Sequence, residues 1–118
     1  MIFVFGSNEA GIHGAGAALY ARRHKGAVYG QGVGYYGDSY AIPTKDFNIR
    51  TLPLHVIEGY VKEFFNFAAE NSGLQFNVTR IGCGLAGYTD ADIAPMFRNA
   101  PPNCILSAEW LEWLKNNP

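Results

Sequence analysis

The chain opens Met1-Ile2-Phe3-Val4-Phe5, continues Gly6-Ser7-Asn8-Glu9-Ala10-Gly11-Ile12-His13-Gly14-Ala15-Gly16, and then reads Ala17-Ala18-Leu19-Tyr20-Ala21. Met1 to Phe5 is an unbroken apolar run, the pattern of a strand covered on both faces. Gly6 to Gly16 reads as a glycine-rich loop. Ala17 to His24 suits a short helix, with Arg22, Arg23 and His24 near its C-terminal end and Gly26 as its stop. Strand, glycine-rich turn and helix N-terminus in direct succession predict an α/β unit. The same succession builds an anion site, because free N–H groups and the helix dipole both favour negative charge. The small residues Gly14, Ala15, Gly16 and Ala17 would let a phosphate approach the backbone.

Outward from this unit the pattern repeats. Ala27-Val28-Tyr29 is expected to be a short strand, Gly30 to Asp38 a mobile glycine-rich connection, and Ser39 to Pro43 another strand. Thr51 is a candidate N-cap for the main helix, with Pro53 in its first turn. Ile57, Tyr60, Val61, Phe64 and Ala68 give that helix an apolar stripe, and Asn71-Ser72-Gly73 ends it. Leu74 to Ile81 reads as a strand and Gly82 to Gly87 as a second glycine-rich turn. Thr89 would cap a helix over Asp90 to Phe97. Cys104 to Leu106 is a last strand, and Ser107 opens a terminal helix carrying Trp110, Leu111, Trp113 and Leu114. The predicted fold is an α/β domain, a three-layer α/β/α sandwich on a mixed, mainly parallel sheet. Ligands of such sheets sit at the carboxyl ends of the strands. Both glycine-rich loops leave strand ends there, so they are expected side by side.

Composition sets limits on function. The chain has 118 residues, the size of one domain. Its 14 glycines exceed the average share, about 7% of residues. A net charge of −1 disfavours sequence-independent nucleic-acid binding. No apolar run reaches membrane-spanning length, so no membrane partner is expected. Met1 to Phe5 lacks the basic flank of a signal peptide. Cys83 and Cys104 have no metal-ligand spacing, which points to free thiols in a cytoplasmic chain and to no metal or cofactor.

The second loop, Gly82-Cys83-Gly84-Leu85-Ala86-Gly87-Tyr88, pairs with the first, and together they suggest a diphosphate held between them. Gly32-Val33-Gly34-Tyr35-Tyr36-Gly37 matches G-x-G-x-x-G but precedes a strand instead of a helix, so it is no dinucleotide fingerprint. Tyr35 and Tyr36 are either a stacking surface or part of a hairpin. Cys83 reads as a small filler of a tight turn; its alternative is a nucleophile with a lowered pKa beside a helix N-terminus. His13 sits among small residues and is placed near the ligand, as a general acid or a phosphate donor. His55 reads as structural, and the tryptophans of the terminal helix as packing. Thr44, Lys45 and Asp46 follow a strand end, either adding charge to the pocket or forming a solvated turn.

At these loops the sequence resembles the macrodomain family, which binds ADP-ribose and often cleaves it from proteins or nucleic acid. The family runs from an Asn-ending strand, N-A-A-N, to G-G-G. Here Phe5-Gly6-Ser7-Asn8 precedes Gly14-Ala15-Gly16 at similar spacing. Arg80-Ile81-Gly82-Cys83-Gly84-Leu85 is similar to the I-G-C-G-L loop of terminal ADP-ribose glycohydrolases and DNA ADP-ribosyl glycohydrolase antitoxins. Tyr40-Ala41-Ile42-Pro43-Thr44-Lys45 resembles that branch's P-T-K element. The resemblance covers Met1 to about Phe97. It implies that Asn8 contacts the distal ribose, with Thr44 and Lys45 nearby. It implies that Gly14 to Ala18 hold diphosphate and ribose, and that Gly82 to Gly87 wrap the diphosphate from the other side.

The departures are specific. The family's strands before N-A-A-N, which carry an acidic residue for adenine, have no counterpart, as in an N-terminally truncated member. The branch's nucleophilic Lys falls on Arg22, which is too poor a base for that role. Its acidic partner after C-G-L is replaced by Ala86, and Asp90 and Asp92 lie further along. Any ADP-ribosyl hydrolase activity would therefore act without the Lys nucleophile, through a water positioned by Asn8 and His13. Three classes stay open: a hydrolase of an ADP-ribosylated macromolecule, a non-catalytic binder of an ADP-ribose-derived signal, and an interaction protein with a vestigial pocket.

Overall fold

The computed structural model describes all 118 residues. The elements run β1 (Ile2–Asn8), α1 (Gly16–His24), β2 (Gly34–Tyr36), β3 (Ser39–Lys45), α2 (Leu54–Glu70), β4 (Phe76–Val78), α3 (Asp90–Ile93), a 3₁₀ turn (Ala94–Phe97), β5 (Cys104–Ile105) and α4 (Ala108–Asn116). The sheet order is β2-β3-β1-β4-β5. β3, β1, β4 and β5 pair in parallel, and only the β2–β3 hairpin is antiparallel. The expected three-layer α/β/α architecture on a mixed, mainly parallel sheet is therefore observed. No helix is long and apolar enough to cross a membrane.

Alternate residues of β1 serve opposite faces, as the two-residue strand period requires. Ile2 and Val4 join Tyr40, Ile42, Phe76 and Val78 under α2, α3 and α4. That core includes Ile57, Val61, Phe64 and Ala68, four of the five stripe positions of α2; Tyr60 is half-buried beside them. Trp110 of α4 is fully buried in the same core. On the other face Phe5 and Ala41 meet Ala18, Ala21 and Ala27, a much smaller cluster under α1.

The element order is as expected, but several boundaries shift. Ala27-Val28-Tyr29 is not a strand. Ala27 is drawn into the small core under α1, and its N–H bonds to the Ala21 carbonyl, so it has no ladder to join. The second strand lies at Gly34–Tyr36, within the stretch expected to be a mobile connection. The alternative reading of Tyr35 and Tyr36, a hairpin, is what forms, with Tyr35 against Phe67. Thr51 does not cap α2. It forms an isolated bridge with Lys45 and donates its hydroxyl to the Ala86 carbonyl at 3.0 Å. Pro53 keeps the residue before it extended and is itself extended (ψ 151°), so helix begins only at Leu54. β4 stops at Val78 because a tight turn, Ile81 N–H to Thr79 carbonyl at 2.8 Å, turns the chain away. The helix after Thr89 tightens to a 3₁₀ turn at Ala94, since Pro95 supplies no N–H. Thr89 caps this helix as expected, through a capping box with Asp92, and the Ser107 hydroxyl accepts the Trp110 N–H.

The connections define a switch point. From β1 the chain passes through α1 on one face toward β3. From β4 it passes through α3 on the other face toward β5. Adjacent parallel strands whose connections diverge in this way leave a crevice outside their carboxyl ends.

Candidate functional site

A cleft of about 440 Å³ occupies this crevice. The end of β1 contributes Gly6, Ser7 and Asn8, and the end of β3 contributes Thr44 and Lys45. The first loop adds Ile12 and Gly14 to Ala18. Thr79 to Gly82 and Gly84 to Ala86 close the opposite wall. The two glycine-rich loops thus meet across one cavity: a Cβ built on Gly16 would lie 3.7 Å from the Leu85 side chain.

Ser7 and Thr44 are buried and bonded inside the protein. The Ser7 hydroxyl donates to the Gly32 carbonyl, and the Thr44 hydroxyl to the Ser7 carbonyl at 3.3 Å. Asn8 shapes its own loop: its amide accepts the Ile12 N–H and donates to the Ile12 carbonyl, both at 2.8 Å. That pair turns the chain out of β1 toward α1. The turn depends on Gly11 and Gly32. Gly11 has φ +71°, and a Cβ there would fall 2.3 Å from the carbonyl carbon of Gly30. A Cβ on Gly32 would sit 1.9 Å from the Asn8 carbonyl oxygen. The G-x-G-x-x-G segment therefore supplies a close backbone approach behind the cleft and no dinucleotide turn.

The rim of the cleft is rich in free donors. Ala15 is the N-cap of α1 and carries no side-chain cap, and no acid occupies the first turn. The N–H groups of Gly14 through Ala18 donate to nothing in the protein; the first helical bond is Leu19 N–H to the Ala15 carbonyl. Across the cavity the N–H groups of Gly84, Leu85 and Ala86 are also without partners. Lys45 and Arg80 are the charged residues of the lining, and no carboxylate is among them. Lys45 takes part in no ion pair. Arg80 donates through Nε and Nη2 to the two oxygens of Asp90, each at 2.9 Å, and that hydrogen bond raises its pKa. Burial pushes the Asp90 carboxyl up, but the hydrogen bonds from Arg80 and from Trp110 Nε1 outweigh it and hold the carboxyl below its ordinary range.

Other residues singled out in the sequence lie off the cavity wall. His13 is fully buried, edge-on to Phe5, with Nε2 3.1 Å from the Gln31 carbonyl oxygen and Nδ1 without a partner. It sits beneath the loop and does not line the cleft. Gly87 and Tyr88 close the far side of the second loop, where the Tyr88 hydroxyl donates to the Leu52 carbonyl at 2.6 Å. Cys83 is half-buried outside the lining; burial and then the Asp90 charge push its thiol up to about 11, the reverse of an activated nucleophile. Arg22 stands at the far end of α1, its guanidinium 5.2 Å from the centre of the Tyr29 ring. Asp92 is held in the cap of α3.

Sequence reasoning missed Ile12, Ile49, Thr79, Arg80 and Ile81 as lining residues. Arg80 and Ile81 precede the second loop directly, so their adjacency was the available signal. Ile49 had none, because its place depends on a turn after β3. Comparison with family models, with curated proteins and with solved structures found no match.

Proposed function

We propose that the cleft binds ADP-ribose or a related diphosphate nucleotide, with the diphosphate between the first turn of α1 and Gly84–Ala86. The carrying observation is the donor set: unpartnered N–H groups on two facing loops, beside an unpaired Lys45, in a cavity without a carboxylate. Each N–H run is an anion cradle by itself. Facing each other across one cavity, they suit two linked phosphates better than one. The resemblance of both loops to the macrodomain pattern selects the ADP-ribose class among diphosphates.

Binding is favoured over turnover. Asn8 spends its amide on the Ile12 backbone, His13 is shut beneath the loop, and the Cys83 thiol is raised. Titration calorimetry with ADP-ribose and with inorganic pyrophosphate tests the binding; heat from neither at millimolar ligand overturns it. Incubation with ADP-ribosylated protein and ADP-ribosylated DNA, read by mass, tests the turnover. Intact conjugates are the expected result, and released ADP-ribose would restore the hydrolase reading.

A further inference from the structure

The turn between β3 and α2 carries a feature that anion binding does not use. Ile49 has φ +61° and is the one non-glycine residue with a left-handed backbone. A β-branched side chain is disfavoured there, so the surrounding contacts must hold it. They do so closely. Asp46 Oδ1 accepts the N–H of Asn48 at 2.8 Å and of Arg50 at 3.0 Å. The Asp46 N–H bonds to the Arg50 carbonyl, and the Ile49 N–H to the Asp46 carbonyl. The turn is tied at its base by the Lys45–Thr51 bridge and across the cleft mouth by the Thr51 hydroxyl on Ala86. The result is an isoleucine at the cleft mouth, 41% exposed. Two more aliphatic side chains line the same cavity from the other two loops: Ile12, 41% exposed, and Leu85, 72% exposed.

We infer that Ile49 is a specificity residue: with Leu85 and Ile12 it forms an apolar collar that takes the ring system esterified to the phosphates, so the site selects organic diphosphates over inorganic pyrophosphate. Asp46 is the positioning residue that holds Ile49 in place. The inference rests on the anion-binding reading above. Phosphate alone would leave three aliphatic side chains facing water, whereas a sugar or nucleoside ring covers them.

The test compares ADP-ribose and pyrophosphate by calorimetry on the parent protein, Ile49→Gly and Ile49→Asn. Glycine removes the side chain and relieves the backbone; asparagine tolerates the left-handed conformation and makes the position polar. Both variants are expected to keep a Tm at or above the parent's. Both should weaken ADP-ribose binding about tenfold while changing pyrophosphate by less than about twofold. Equal losses for both ligands, or no loss for either, overturn the collar and leave the anion site standing. A lower Tm in both variants overturns the strained-turn premise. If neither ligand binds the parent protein, both readings fall together.

Discussion

Glycine positions in the cleft differ in what a side chain would meet, and that difference separates binding from folding. Gly84 has open space where its Cβ would be and no left-handed backbone. Gly84→Glu should therefore leave Tm within about 1 °C of the parent, as surface changes do. Its carboxylate would face the phosphates, so ADP-ribose affinity should fall about thirtyfold or more in calorimetry. Gly16→Glu is the less clean variant, because φ +55° strains any side chain and costs stability as well. Unchanged affinity in Gly84→Glu would argue against the second loop as a phosphate wall. Cys83 yields a separate prediction. With its thiol raised from 9.0 to about 11, its thiolate fraction at neutral pH is about a hundredfold below that of an ordinary thiol. Iodoacetamide should label it slowly at pH 7.5 and much faster towards pH 11. Rapid labelling at pH 7.5 would contradict the raised value.

Between elements, two contacts decide how the cleft is held. Gly32 lets the loop before β2 lie on the end of β1, so Gly32→Ala drives a methyl group into the Asn8 carbonyl. Backbone must move to accept it, and a loss of about 3 kcal/mol or more in denaturant unfolding is expected. Asp90 joins the exit of β4, through Arg80, to α4, through Trp110. Its folded carboxyl titrates below the ordinary 3.8. Its contribution is thus complete above the unfolded value and is lost as pH falls through the folded one. Asp90→Asn should lower stability at pH 7 by about 1 kcal/mol or less, the pair being partly exposed. The Tm gap between parent and variant should start to narrow as pH falls past the ordinary carboxylate value and close only below the lower folded one; a gap that persists undiminished at the lowest pH would assign the effect to packing. These contacts also explain which elements were legible in the sequence. Strands and helices with their own apolar period, β1 and α2 above all, could be read directly. β2 could not, because Gly34-Tyr35-Tyr36 becomes strand only by pairing with β3, and Ala27 looks like strand but fills the core under α1. The two glycine-rich loops of the cleft were legible because strand, glycine and helix follow one another in the chain. The mouth of the cleft was not: Ile49 reaches it through hydrogen bonds to Asp46 that no local pattern announces.

At the scale of the whole molecule the two faces of the sheet are unequally packed, and one wall of the cleft, the first turn of α1, belongs to the weaker one. α2 is fastened by Ile57, Val61 and Phe64 within the large core, which also holds Trp110. α1 rests on the alanine-rich cluster with Phe5 and has only Ala18 and Ala21 buried. Few buried apolar contacts mean a low free energy of local opening. In hydrogen exchange α1 should therefore release its amides through openings well below global unfolding, while the amides of α2 at Val61 and Phe64 exchange only with the global event. A diphosphate on the free N–H groups of Gly16, Ala17 and Ala18 must dissociate before α1 can open. With ADP-ribose at a hundred times its Kd, linkage adds about 2.7 kcal/mol to that opening, about a hundredfold slower exchange. The slowing should cover α1 and Gly84–Ala86, and at the same ligand concentration it should shrink to about fourfold or less in Gly84→Glu. Protection confined to β5 and α4 would place the ligand elsewhere.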